Sequence, residues 1–385
     1  MDFELSGRQK QVRLAAREFA EGELAPIGKE CEAKGEFPRD LLKKAGSLGF
    51  VGVFIGRAYG GLALGSLEEA VINEEFWRAE PGMGQVFLQA TFGAKELILF
   101  GNEEQKKTYL PPLVKGDAVM GFSITEPESG SDAASATTTA KKMDDHYVIN
   151  GNKTMISNGT EASFVLVYCL TDPEGTARSK RHSILLVETN RPGYKADRIT
   201  GKMGLHASDT ANIFFNNVTV PTANLVGVEG NGFPQLMSFL DYSRVAVASA
   251  GVGLAQGALE QAISYVKKRK QFGKTIASFQ VTEMKIAEMA TLVETARFLT
   301  YRACSLLDKG TPDSAISAMA KWWASNAAVR VVDEALQLHG GYGYLDDYAI
   351  ERYYRAAKLL EIYEGTKEIQ KLLIGRSMLG PDSRV

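Results

Sequence analysis

The hydrophobic pattern of this chain of 385 residues changes its period twice. In the first part, apolar residues recur at the spacing of a helix face, as in the segment 6–34. Beyond Gly121 the chain turns to short runs of β-forming residues, such as 164–168, separated by turn residues. Helical spacing returns after Pro234 and dominates to the end, as in 281–308. The pattern predicts a helical, then a β, then a helical unit.

The charge balance and the apolar runs exclude some function classes. With 44 basic and 46 acidic residues, the summed charge gives no reason to expect nucleic acid or an anionic membrane as the main partner. No stretch approaches the roughly 20 uninterrupted apolar residues that a membrane span requires, and the N-terminus lacks the pattern of a signal peptide. We therefore expect a cytoplasmic protein with no membrane insertion.

The cysteines give no metal signature. Cys31, Cys169 and Cys304 lie far apart and in no spacing typical of metal ligands. They are interpreted as three buried or inert thiols in a reducing compartment, and no metal site is predicted.

Near the C-terminus, the segment 359–370 places a carboxylate beside a glycine, where an apolar stretch turns into a new helix. The carboxylate, Glu364, has apolar neighbours that can desolvate it, which raises the pKa of a general base. Gly365 lets the backbone approach a ligand closely, and Thr366 is a natural N-cap for a helix that begins at Lys367. From this segment alone, a solvated glutamate that interacts only with the helix dipole is the more common interpretation.

A second segment, 122–132, reads F-S-I-T-E-P-E-S-G-S-D. Together with the Y-E-G-T segment at 363–366 it resembles the acyl-CoA dehydrogenase family, which carries a T-E-P-x-x-G-S-D loop at the start of its middle domain. The resemblance covers nearly the whole chain, and further matching segments are 149–153, 242–244, 269–273 and 337–343. It implies an α+β, mainly α fold: a helical N-terminal domain (1–120), a middle β-barrel-like domain (121–231) and a C-terminal four-helix bundle (232–385).

The resemblance also implies an activity, the FAD-dependent dehydrogenation of an acyl-CoA thioester to a 2,3-enoyl-CoA. Glu364 would remove the α-proton, its backbone amide and an FAD hydroxyl would hold the thioester oxygen, and the flavin would accept the β-hydrogen as hydride. Electrons would pass to an electron-transfer flavoprotein. Some family members place the base at the position of Ser243. Serine cannot serve as that base, which supports Glu364.

The cofactor residues implied by the resemblance fall into four sets. Those expected to line the flavin are Phe122, Ile124, Thr125, Gly130, Ser131, Met155 and Ser157; those expected to reach the FAD of a neighbouring subunit are Arg269, Gln271 and Phe272; those expected near the diphosphate and adenosine are Gln337, Gly340 and Gly341; Thr366 and Glu368 complete the contacts. A site completed by a second subunit requires a homo-oligomer, which in this family implies a tetramer. No G-x-G-x-x-G fingerprint followed by an acidic residue is present, which argues against a nicotinamide cofactor.

Two positions depart from simple expectation. Met155 stands where the family has tryptophan, which leaves open how the flavin edge is shielded and how the electron acceptor docks. His339 has no partner motif and is interpreted as a packed or capping histidine.

The substrate residues implied by the resemblance are Ser131, Asp241, Arg244, Tyr363, Gly365, Gln89 and Thr91. No arginine lies in the segment 85–95 to pair with a distal carboxylate, although Lys95 could, and this disfavours a glutaryl-type substrate. Short straight, branched, alicyclic and aromatic-pathway acyl groups stay open, as does the physiological direction.

Three alternatives were weighed against the dehydrogenase. An acyl-CoA oxidase would reduce oxygen directly, but oxidase chains are usually much longer. A non-catalytic acyl-CoA-binding protein of the same fold would have no need of Glu364. A flavin monooxygenase on this fold would also lack that base.

Overall fold

The computed structural model describes residues 4–175 and 177–380. Its N-terminal part is helical, as the sequence predicts, and a π-helical turn over Ala20–Leu24 joins the first two helices. Side-chain caps define two helix starts, since Ser6 Oγ accepts from Gln9 N and Asn102 Oδ1 accepts from Gln105 N. The helices are α1 (Gly7–Phe19), α2 (Ala25–Lys34), α3 (Arg39–Ser47), α4 (Ser66–Ala79), α5 (Pro81–Ala90), α6 (Ala94–Phe100) and α7 (Glu103–Val114).

The middle part forms one mixed sheet. Its strands pair in the order β6-β7-β3-β2-β4-β5-β8, and β1 pairs parallel with β4. The strands Phe164–Leu170 and His182–Glu188 are almost wholly buried because both faces of the sheet are covered there. The strands are β1 (Met120–Ser123), β2 (Thr139–Lys142), β3 (His146–Ser157), β4 (Phe164–Leu170), β5 (His182–Glu188), β6 (Tyr194–Arg198), β7 (Thr210–Pro221) and β8 (Leu225–Val226).

The C-terminal part is again helical, which confirms the three-part pattern. Two glycines of its long first helix, α8, lie against the backbone of α4: a Cβ at Gly253 would lie 2.3 Å from Glu74 O, and one at Gly257 would lie 2.2 Å from Arg78 O. Glycine therefore allows α4 and α8 to pack closely, which joins the first and third parts. The elements are α8 (Gly232–Lys268), β9 (Lys270–Gln271), β10 (Lys274–Thr275), α9 (Gln280–Asp308), α10 (Ser314–His339), α11 (Ile350–Leu360) and α12 (Lys367–Leu379).

The structure corrects some local expectations and confirms others. The segment 85–95 is not one helix, since it runs from α5 into α6. The predicted N-cap is confirmed, because Thr366 Oγ accepts from Ile369 N at 3.4 Å. His339 is buried, contacts Ala335 O at 2.7 Å through Nδ1 and stacks on Tyr265. The three cysteines are buried free thiols.

Within the residues that the structure describes, no helix is both long and apolar enough to span a membrane. The same residues contain no cluster of three or more His, Cys, Asp or Glu side chains that could bind a metal ion.

Candidate active site

The loop between α11 and α12 holds Glu364 in an uncommon backbone conformation, with φ at +55°. Two buried side chains, Gln370 and Lys321, hold this loop by hydrogen bonds to its carbonyl oxygens. Gln370 Nε2 donates to Glu364 O and to Gly365 O, both at 3.0 Å, and Lys321 Nζ donates to Gly365 O at 2.6 Å. A Cβ at residue 365 would lie 2.5 Å from Gln370 Nε2, so this position requires glycine.

The carboxyl group of Glu364 lies in a desolvated but electrostatically balanced setting. Burial raises its pKa, and this is opposed by a hydrogen bond from Ser243 and by the charges of Arg244 and Lys321. The hydrogen bond is short, since Ser243 Oγ donates to Glu364 Oε2 at 2.6 Å. Such a carboxyl is suited to accept a proton from a weak carbon acid.

The backbone of the same loop presents an unused donor. The carbonyl oxygens of Glu364 and Gly365 already accept hydrogen bonds from Gln370 and Lys321. The Glu364 N–H donates to no acceptor in the part of the chain that the structure describes. A carbonyl oxygen of a ligand held beside the carboxylate could accept from this N–H.

A narrow cleft of about 40 Å³ lies next to the base. Ser243, which donates to Glu364, is part of its wall, and so are the predicted substrate residues Gln89 and Thr91. Much of the remaining wall is apolar, with Phe92 and Phe239 packed edge to face. The lining therefore suits an apolar group whose reactive end lies near Glu364.

Three other predicted substrate residues lie around the same loop. The Tyr363 hydroxyl donates to Gln85 Oε1 at 3.2 Å. Arg244 is buried, lies 3.4 Å from Asp241 Oδ1 through Nη1, and its Nε has no partner among the described residues. Asp241 also accepts from Ser314 Oγ at 2.7 Å, so it orients Arg244 and is already occupied as an acceptor.

The loop that follows β1 is held by one buried ion pair. Glu126 Oε1 accepts from Lys153 Nζ at 2.8 Å, and its two oxygens also accept from the backbone N–H groups of Thr137 and Thr138. Burial alone would raise the pKa of Glu126, but the Lys153 charge and these hydrogen bonds lower that pKa to about 2. The fixed loop leaves Ser131 exposed, and a Cβ at Gly130 would meet open space.

The predicted flavin residues of β1 and β3 lie close together. Lys153 Nζ donates to Ile124 O at 2.9 Å, and Thr154 N donates to Thr125 O at 3.0 Å, which ties the two strand ends. Met155 is 64% exposed and has a φ of +57°. The residues of this surface, here called the strand-end group, are Ile124, Thr125, Met155 and Ser157, whereas Phe122 is buried and packs against Phe239.

A second set of predicted cofactor residues lines a separate cleft of about 520 Å³ between α8 and α10. The polar side chains of this predicted set in its wall are those of Arg269 and Gln271, and no residue of the strand-end group belongs to the wall. Phe272 lies beside it and is 93% exposed. The residues of this surface, here called the helix-end group, are Arg269, Gln271, Phe272, Gly340 and Gly341. Gln337 contributes its carbonyl to the cap of α10 and does not line the cleft.

These residues fit an extended cofactor with an anionic centre. A Cβ would meet open space at Gly340 and at Gly341, so a ligand can approach the backbone closely there, although the Gly340 N–H already donates to Gln337 O. Exposed apolar side chains at both groups, Met155 and Phe272, offer surface for a ring system or a second subunit. Glu368 is exposed on the first turn of α12, whose cap is Thr366.

Sequence reasoning missed the side chains that support the site. Gln370 is the last residue of the segment 359–370, which contains Glu364, and Lys153 is the last residue of the segment 149–153. Both residues therefore lie in the predicted segments, but no local pattern indicates their role. Lys321 lies within a helix and has no local signal, because only the tertiary packing brings it to Gly365.

Solved structures with the same fold define the class of enzyme. The structure is similar to butyryl-CoA dehydrogenase from Megasphaera elsdenii, with 36% sequence identity, a TM-score of 0.95 and coverage of 99% of this chain and 100% of that chain. It is also similar to a glutaryl-CoA dehydrogenase from Mycobacterium smegmatis in complex with FADH2, with 26% identity, a TM-score of 0.93 and coverage of 99% and 97%.

Family models for the N-terminal, middle and C-terminal domains of acyl-CoA dehydrogenase match residues 6–117, 121–218 and 230–379. A protein of Bacillus subtilis (strain 168) named acyl-CoA dehydrogenase is 41% identical over 375 residues, which cover 97% of this chain and 98% of that protein. The chain belongs to the acyl-CoA dehydrogenase family of oxidoreductases, and the fold expected from its motifs is confirmed.

Proposed function

We propose that the protein is an FAD-dependent acyl-CoA dehydrogenase, which converts an acyl-CoA thioester to the 2,3-enoyl-CoA. The observation that carries this proposal is the pairing, in one loop, of the desolvated Glu364 carboxyl with a backbone N–H that has no acceptor in the described chain. Removal of a proton next to a thioester carbonyl requires both a base and a donor to the carbonyl oxygen.

The surrounding residues have distinct tasks in this proposal. Glu364 takes the α-proton, and its N–H stabilises the negative charge that develops on the thioester oxygen. Ser243 and Arg244 favour the ionised form of the base. Gln370 and Lys321 hold the loop, and the cleft at Gln89 and Thr91 keeps water from the acyl chain.

The cofactor in this proposal is FAD, which supplies the acceptor for the β-hydrogen as hydride. The strand-end group and Thr366 would hold it in one subunit, and the helix-end group would contribute from a neighbour. No residue of the strand-end group lines the cleft of the helix-end group, and this separation supports a homo-oligomeric enzyme, which we propose to be a cytoplasmic tetramer.

We infer that electrons leave to an electron-transfer flavoprotein. The exposed Met155 at the strand-end group offers an apolar contact for such a partner. A thioether is smaller and more adaptable than the tryptophan of the family pattern, so a partner could approach this edge closely.

The test is the visible spectrum of the purified protein, followed by anaerobic titration with straight, branched and cyclic acyl-CoAs. We expect a yellow protein that is bleached by at least one thioester. Glu364→Gln should keep FAD and still bind thioester, but bleach about a thousandfold more slowly, whereas Glu288→Gln, an exposed glutamate on α9, should behave as the wild type. A colourless protein that does not take up FAD would instead favour a non-catalytic acyl-CoA-binding protein.

A further inference from the structure

The cleft beside the base contains a lysine that no hydrogen bond satisfies. Lys95, near the start of α6, lines the cleft whose wall also includes Ser243. Its Nζ lies 4.2 Å from the ring centroid of Phe54 and 5.0 Å from that of Tyr242. The side chain forms no hydrogen bond and no ion pair within 4 Å across residues 4–175 and 177–380. A half-buried ammonium group that has no hydrogen-bond partner in the described chain favours an acceptor in the cleft.

The charged neighbours of Lys95 do not supply that acceptor directly. Glu69 lines the same cleft and interacts with the Lys95 charge, but from beyond 4 Å. Asp308 is the other acidic neighbour, and its oxygens are taken by the backbone N–H groups of Ser66, at 2.5 Å, and Leu67, at 3.3 Å. Apart from its two ring contacts, the ammonium group of Lys95 therefore has no partner among the described residues.

The wall between Ser243 and Lys95 suits a hydrocarbon chain. It includes the apolar side chains of Leu88, Phe92 and Val247. An acyl chain whose thioester end lies near Glu364 would pass this wall and bring its far end towards Lys95. A methyl group there would displace water from the ammonium group without offering it an acceptor.

We propose that Lys95 selects acyl chains whose far end carries a hydrogen-bond-accepting oxygen, either a carboxylate or a hydroxyl. This rests on the proposed function, because it assumes that the cleft is the acyl site. Both termini accept from Lys95, and a hydroxyl can also donate to Glu69. The absence of an arginine in residues 85–95 therefore does not leave the cleft without a cation for an acidic or hydroxylated terminus.

The test measures binding without turnover. The Glu364→Gln holoenzyme is titrated calorimetrically with pentanoyl-CoA and hexanoyl-CoA and with the ω-hydroxy and ω-carboxy counterparts of each. We expect the best oxygen-terminated thioester to bind roughly tenfold or more tightly than its methyl-terminated match, since a hydrogen bond to a charged group is gained. The further exchange Lys95→Met should reverse that order, while Lys107→Met, an exposed lysine on α7, should preserve it.

Each outcome has one meaning. A stronger carboxylate arm or a stronger hydroxyl arm both support the inference and identify the terminus. Tighter binding of the methyl-terminated thioesters, equal binding of all, or binding of none would overturn it. The order of affinities measured in the Glu364→Gln holoenzyme, which keeps Lys95, decides this even if Lys95→Met fails to fold. If the order holds but no thioester bleaches the wild-type flavin, the proposed reaction fails and the selectivity stands.

Discussion

Ser243 on α8 and Glu364 on the α11–α12 loop are joined by a hydrogen bond of 2.6 Å between Ser243 Oγ and Glu364 Oε2. The two residues are 121 positions apart in the chain. The hydroxyl donates to the carboxylate, so it stabilises the ionised form of the proposed base. It also orients one carboxyl oxygen and leaves the other oxygen free to take a proton.

Ser243→Ala should move the pH dependence of the enzyme upwards. Burial raises the pKa of Glu364 and the Ser243 hydrogen bond lowers it, so loss of the hydroxyl leaves the pKa higher. Because the ionised carboxylate is the active form, the acid limb of the kcat/KM profile should shift to higher pH by about one unit. The measurement is kcat/KM against pH with an artificial electron acceptor. An acid limb that stays in place, or moves as much in Ser238→Ala, an exposed serine on the same helix, would contradict this role.

Glu126→Gln should destabilise the protein and weaken FAD binding. The substitution leaves the Lys153 charge buried and unpaired, which costs about 3 to 5 kcal/mol. The pKa of Glu126 is lowered from 4.5 to about 2 in the fold, so its ionic contribution is complete above pH 4.5 and is lost as the pH falls through 2. Thermal unfolding of wild type and variant should therefore differ most near neutral pH and converge in acid.

The matched control for this prediction is Glu128→Gln, since Glu128 is an exposed glutamate of the same loop. It should change neither the unfolding temperature nor the flavin content. Equal effects of the two substitutions would show that the ion pair does not hold the loop.

Lys321→Met should change how stability depends on pH. Burial lowers the pKa of Lys321 from 10.5 to about 8. Between these values the unfolded chain binds more protons than the folded chain, so this lysine makes the fold more stable as the pH rises from 8 to 10.5, by about 3 kcal/mol in total. The stability of the wild type relative to Lys321→Met should therefore increase over this range. The readout is the midpoint of thermal unfolding, Lys309→Met is the exposed control, and a difference that is constant or shrinks with pH would refute the account.

Phe272→Ser should reduce both assembly and cofactor retention. Phe272 is 93% exposed beside Arg269 and Gln271, where an apolar ring has no reason to face water unless another surface covers it. We expect a smaller species by light scattering and at least a tenfold weaker hold on FAD, in line with the loss of a buried aromatic anchor. Val228→Ser, which changes an exposed valine in a loop, is the control. Unchanged mass and flavin content in Phe272→Ser would remove this residue from the interface.

The order of the three parts and the position of the base were predictable because each rests on local signals. The apolar residues recur with the period of a helix or of a strand. The cap at Thr366 and the turn at Gly365 mark the start of α12. The limits of the elements were less predictable. The two prolines of α7, Pro111 and Pro112, resemble a boundary in sequence, yet they lie within the helix.

The support of the site was not predictable from local signals. Lys321 and Lys153 are each buried, which sequence statistics disfavour for lysine, and each is stabilised only by partners from distant segments. Lys95 was predictable as a cation near the substrate residues, but its surroundings were not. Only the packing of Phe54 and Tyr242 against it shows that it faces the cleft beside Ser243.

The left-handed backbone conformation of Glu364 determines which substitutions selection for stability alone would favour at this position. At a φ of +55°, glycine or asparagine would be the more comfortable occupant, and a glutamate there costs about 1 kcal/mol. A laboratory search for heat-tolerant variants should thus recover replacements at residue 364 among its winners, and those survivors would be robust but inert. At this one position, higher stability and catalytic activity require different residues.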